Sequence, residues 1–194
     1  MALIPTPDPG SELAWVDAHL DGLWSGPLRR SPTFRGGQAR ADAALAAFEV
    51  EGYASLRNEV WPPDRRGASQ LSPHIRHGLL QLPRVWDSVE EGPRRDVNKF
   101  RDELLWQEYA RHRYARLGGD DPLLGPAGPG EEPAWDRSMK CVELAVGELE
   151  ATGWLPNQSR MWLASQWAVR DRRAASSGED LMFRHLLDGS RAAN

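Results

Sequence analysis

The 194-residue chain has a single cysteine, Cys141, which excludes an intrachain disulfide and any cysteine-rich zinc or iron-sulfur centre. Lysine is nearly as scarce, occurring only at Lys99 and Lys140. The formal net charge is −4 and the sequence pI about 5.8. No global positive field draws such a chain onto polyanions, so a nucleic-acid contact has to be a local patch. No run approaches the roughly 18 apolar residues of a membrane span, and no basic start leads into an apolar stretch. These absences predict a soluble, cytoplasmic protein without a membrane partner. Sustained alternation of apolar and polar residues is missing too, which predicts no strands. There is no Gly-rich phosphate loop of the Rossmann or Walker kind, no internal repeat and no expected metal site.

What is present is arginine, tryptophan and helical periodicity. Arginine clusters at Arg29-Arg30, Arg65-Arg66, Arg94-Arg95, Arg111 to Arg116 and Arg170 to Arg173; such clusters are commonly solvated helix faces, and less often phosphate contacts. Nine tryptophans are many for this length. Hydrophobic residues make up 40% and charged residues 27%, ordinary values that predict one globular unit around a single core.

Prolines and glycines mark residues 1 to 35 as an N-terminal arm, with one amphipathic stretch from Glu12 to Trp24. Helical spacing begins near Gly37: Ala41, Ala44, Leu45 and Phe48, then Tyr53 and Leu56, predict a helix or helix pair over 38–58. Leu71-Ser72-Pro73 reads as a helix start, with Ser72 as cap and Pro73 at a position where its missing N–H costs nothing. Ile75, Leu79 and Leu80 line that helix, and Pro83 breaks it before a second one carrying Val85, Trp86 and Val89. Further helices are predicted over 96–117, 135–152, 156–174 and 179–187. Between them, residues 118–133 form a loop rich in Gly, Pro and acid that cannot bury itself. The fold class is all-α, an irregular helical bundle.

Four strings in one order carry a resemblance: Gly67-Ala68-Ser69-Gln70-Leu71-Ser72-Pro73, Glu103 to Tyr109, Thr152-Gly153-Trp154-Leu155-Pro156-Asn157-Gln158-Ser159-Arg160-Met161, and Gly178-Glu179 through Leu187-Asp188-Gly189-Ser190-Arg191 to Asn194. Together with Gly36-Gly37 and Tyr53 they resemble the helical FAD-binding domain of the photolyase and cryptochrome family, over residues 36–194. The resemblance implies FAD as cofactor. Tyr53 falls where the family has a cofactor-contacting tyrosine, and Ser69, Leu71 and Ser72 match the stretch that wraps the phosphates. Independently, two hydroxyls and free amides at a helix start suit an anion. Asn157 and Arg160 match the family's flavin-side asparagine and arginine, Asp188 the aspartate that pairs with that arginine, and Asn194 the residue facing the flavin ring. Read as structure alone, Arg160 and Asp188 form a salt bridge tying two helices, and Asn194 is an idle terminus.

Glu103 and Trp106 match the carboxylate and tryptophan of the family's lesion pocket, where a flat indole stacks on extruded bases. Without that match, Trp106 reads as core. Gln107 stands where the family carries an arginine, Ala68 where it carries a threonine, and Ser190 where it carries a second aspartate. Of the family's three electron-hopping tryptophans, only the outermost has a match, Trp135. The matched region includes neither an antenna domain nor the family's Trp-X-Trp stretch, so no second chromophore is expected and a second chain completing the pocket is an open reading. The implied function is light-driven electron transfer from FAD to pyrimidine dimers in damaged DNA. The alternatives are a non-repairing flavin module, acting as photosensor, redox protein or partner subunit, and a helical interaction protein that has lost flavin.

Overall fold

Local chemistry sets the helix boundaries in the computed structural model, which describes residues 5–24, 27–118 and 134–192. Helix α1 covers Glu12–His19, shorter than the expected stretch to Trp24. Helices α2 (Gln38–Ala47) and α3 (Tyr53–Leu56) are separated by Gly52, whose φ of 78° suits a residue without Cβ. Helix α4 (Ser72–Arg76) is a single turn rather than the longer helix expected, because the Leu79 and Leu80 amides both turn back to the His74 carbonyl. Pro83 does interrupt the chain there, and it opens α5 (Leu82–Asp87). Helix α6 runs for 24 residues, Arg94–Leu117. Helices α7 (Lys140–Thr152), α8 (Asn157–Ser165) and α9 (Ala175–His185) follow, and a π-helical turn at Gln166–Arg170 extends α8. All regular elements among the described residues are helical. Of the expected loop, residues 119–133 lie outside the described residues, as does Asn194.

The buried side chains form two clusters, not the single core expected. The first joins Ala41, Leu45, Val50, Tyr53, Leu71, Ile75, Val85, Val97, Phe100 and Leu104 from α2 to α6. The second joins Trp135, Val142, Val146, Leu149, Leu155, Leu163, Trp167, Met182 and Leu186. The principal helix contacts fall within one half or the other, α3 and α5 on α6, and α7 and α9 on α8.

Polar contacts bridge the halves. Arg66 reaches Glu148 with Nη2 to Oε2 at 2.9 Å, Arg76 Nε donates to the Gly189 carbonyl at 2.7 Å, and His77 Nε2 lies 2.8 Å from the Leu187 carbonyl. The Ser31 hydroxyl fastens the arm to the Thr152 carbonyl at 2.6 Å. Within the first half, the Asp96 carboxylate accepts from the Gly52 and Ala54 amides at 3.0 and 2.8 Å, which locks the start of α3, and hence Tyr53, to α6.

Candidate functional site

Between the two clusters lies a cavity of about 340 Å³. Tyr53 from α3, Ser69 and Ser72 around the start of α4, Glu103, Trp106 and Gln107 from α6, Asn157 and Arg160 from α8, and Asp188 after α9 all line it. Residues scattered over more than half of the chain are thereby brought together at the seam. Leu71 has a different place: it is fully buried in the first core, and its amide donates to Ser69 Oγ at 3.4 Å.

Each wall follows from its element. Ser72 is the first residue of α4 and Leu71 occupies the cap position, so the Ser72 hydroxyl is not the expected cap. It accepts instead from the indole N–H of Trp154 at 3.2 Å, a buried donor that needs a partner. Gln70 lies in the left-handed region at φ 55°, rare for a residue with a side chain, between the two serines. On α6, one exposed face presents Glu103, Trp106 and Gln107. Trp106 is 64% exposed and packs edge-on against Tyr109 at 5.8 Å, which makes it a free aromatic surface and not core.

Two cations, Arg57 and Arg160, and two anions, Glu103 and Asp188, face the cavity, and Lys99 supports Glu103 from outside it. Arg57 and Lys99 hold Glu103, at 3.4 and 2.7 Å, and Arg160 Nη2 holds Asp188 Oδ2 at 2.7 Å, with its Nε on the Leu155 carbonyl at 2.9 Å. Asp188 Oδ1 is buried with no hydrogen-bond partner among the described residues, and the same is true of Arg57 Nε. One wall therefore offers an unmade acceptor and another an unmade donor, a costly arrangement that a ligand with both kinds of group relieves.

Burial, and then the Glu103 carboxylate, push the Tyr53 hydroxyl up to about 12, against the opposing pull of Arg57. The folded state thus favours the neutral phenol. Its stabilising contribution is complete below the ordinary tyrosine value of about 10 and is lost as pH rises through the folded value. In a titration of tyrosinate absorbance, one of the three tyrosines should ionise at about 12, and that phase should vanish in Tyr53→Phe. Three tyrosines all titrating near 10 would show that this ring is open to water.

Trp135 lies apart from the cavity. It sits in the second core, edge-on to Trp167 at 5.6 Å, with its indole N–H on the Leu163 carbonyl at 3.3 Å. Among the described residues no group of His, Cys, Asp and Glu suits a metal ion, and no helix is long and apolar enough to cross a membrane. Sequence reasoning missed Arg57 and the role of Trp154. Arg57 follows Tyr53 by one helical turn, a spacing that puts both on one face; Trp154 was signalled by an indole N–H flanked by apolar residues.

No family model matches the chain. The deoxyribodipyrimidine photo-lyase of Thermus thermophilus is 34% identical over 176 residues, an alignment that takes in 81% of this chain. Two solved structures share the fold at 22% identity: a class III photolyase from Agrobacterium tumefaciens, with a TM-score of 0.68 over 85% of this chain, and a cryptochrome from Synechocystis, with 0.71 over 87%. The chain belongs to the photolyase and cryptochrome family. It spans about 40% of the length of the photolyase relatives it matches, and 39% of the two solved family members. The all-helical architecture of this photolyase and cryptochrome family member is that shared region.

Proposed function

We propose that the seam cavity holds FAD, and that the chain is the flavin-bearing part of a photolyase-type protein acting on pyrimidine dimers in DNA. The observation that carries this reading is the buried, unpartnered Asp188 Oδ1 in a cavity lined from all four matched strings. A flavin ring edge carries an N–H donor beside carbonyl acceptors, which is what Asp188 Oδ1 and Arg57 Nε lack. Ser69 and Ser72 are the hydroxyls for the phosphates, while Tyr53 and Phe100 supply apolar wall. Bound flavin supplies light-driven one-electron chemistry that no side chain here provides.

The chain's own residues do the rest. The Arg160 and Asp188 pair places matched charge beside the cofactor without adding net charge. Trp106 offers an open face for stacking an extruded base. Glu103, kept in place by Lys99 and Arg57, presents a carboxylate to the base edge.

Titration of apo-protein with FAD should saturate at one equivalent and raise the melting temperature, since a ligand at about 100 times its Kd stabilises by roughly 2.7 kcal/mol. No shift with either FAD or FMN removes the reading. With FAD bound, dimer-containing DNA should bind more tightly than intact DNA, and Trp106→Ala should erase most of that preference, on the order of 1–3 kcal/mol. Equal affinity for both DNAs assigns the chain instead to the non-repairing flavoproteins.

A further inference from the structure

Helix α8 has a second working face. Asn157 and Arg160 line the seam cavity, whereas Ser159 and Trp162 line a separate groove of about 730 Å³, walled also by α7 and the segment before α4; the two share no lining residue. Small-molecule sites commonly enclose about 300–1,000 Å³ with mostly apolar walls and few polar groups. Trp61, 67% exposed, and Trp162, 48% exposed, stand in this groove beside Leu144 and Val60. Single exposed apolar residues are ordinary, but two indoles converging on one concavity are not.

The polar groups narrow the ligand. Ser159 is 1% exposed, and its Oγ has no hydrogen-bond partner among the described residues. A buried hydroxyl so left marks an unmade bond. Arg66 is already matched by Glu148 through two contacts, and its Nε donates to the Val60 carbonyl at 2.8 Å. Glu59 adds a further carboxylate to the wall, which disfavours an anion.

We infer that this groove binds an uncharged, flat aromatic small molecule carrying a hydroxyl or amine, with its ring on Trp61 and Trp162 and its polar group at Ser159 Oγ. The inference stands independently of flavin in the seam cavity. Cys141, the single thiol, is exposed and lines the groove, and so reports its occupancy.

The test uses 2-naphthol and naphthalene as probes on the full chain, with and without saturating FAD. 2-Naphthol should bind with one-to-one stoichiometry in calorimetry and slow the alkylation of Cys141 by iodoacetamide in step with occupancy, in both states of the protein. Naphthalene should bind about three- to tenfold more weakly, the worth of one neutral hydrogen bond. Ser159→Ala should abolish that difference without lowering the melting temperature, because the hydroxyl it removes bonds to none of the described residues. Trp162→Ala should weaken both probes. The inference is overturned if 2-naphthol shows no saturable binding, fails to protect Cys141, is displaced by FAD, or keeps its advantage over naphthalene in Ser159→Ala.

Discussion

Arg160→Ala should lower the unfolding free energy by about 3–5 kcal/mol, the range expected when one partner of a buried ion pair is removed. Asp188 is the reason. Its side chain is 4% exposed, its Oδ2 is held by Arg160 and its Oδ1 by none of the described residues. Without the guanidinium, the carboxylate remains buried with neither oxygen satisfied. Asp188→Ala leaves the arginine less stranded, since that side chain is 15% exposed and still reaches the Leu155 carbonyl. The double variant should therefore be more stable than the sum of the single losses predicts, because the stranded charge goes with its partner. Denaturant unfolding of all four proteins measures this. If the proposed cofactor site is correct, a FAD titration of the same set should show the same non-additivity. Additive losses in both measurements would mean that the pair does not form, which would remove the cavity's central feature.

A loss of similar size, about 3–5 kcal/mol, is expected for Trp167→Ala, from the cavity left by a large ring. Trp167 is 1% exposed and belongs to the second core. Its indole N–H donates to the Ala174 carbonyl at 2.9 Å and lies 3.3 Å from Ser177 Oγ, so the ring pins the start of α9 to the end of α8. The Arg173 guanidinium covers one face at 4.6 Å. Gly178 of α9 lies against the ring, where a Cβ would meet it at 2.8 Å. Trp167→Phe should recover part of the loss but not the hydrogen bond. A Trp167→Ala variant as stable as the parent would show that the second core closes without this residue.

The extent to which sequence foretold structure differs between helix and site. Long periodic segments such as α6 and α7 were legible because apolar spacing and packing agree. The one-turn elements were not: α4 was read through to Leu80, yet its amides turn back to His74, a local choice that periodicity does not encode. Expecting one core failed for a related reason, since periodicity reveals which face is buried but not against what. Among the site residues, ordered strings pointed to positions that the fold gathers round one cavity. The use of Ser72 as an acceptor for Trp154 depended on a pairing 82 residues apart that neither string announces. Arg57 escaped because it belongs to no string, although the unmade bond at its Nε is as telling as that of Asp188.

The bridging of the two cores by hydrogen bonds has a thermodynamic meaning. Contacts such as Arg76 to Gly189 and His77 to Leu187 end on backbone carbonyls that water can serve equally well. Separating the halves breaks these contacts, the Arg66 to Glu148 ion pair and the Trp154 to Ser72 hydrogen bond, while leaving each buried cluster intact. Native-state hydrogen exchange should therefore show two groups of amides, one per cluster, each with its own opening free energy. A molecule lodged in the seam touches both units and acts as a clasp: while it stays, the amides of α6 and α7 should exchange more nearly as those of one body.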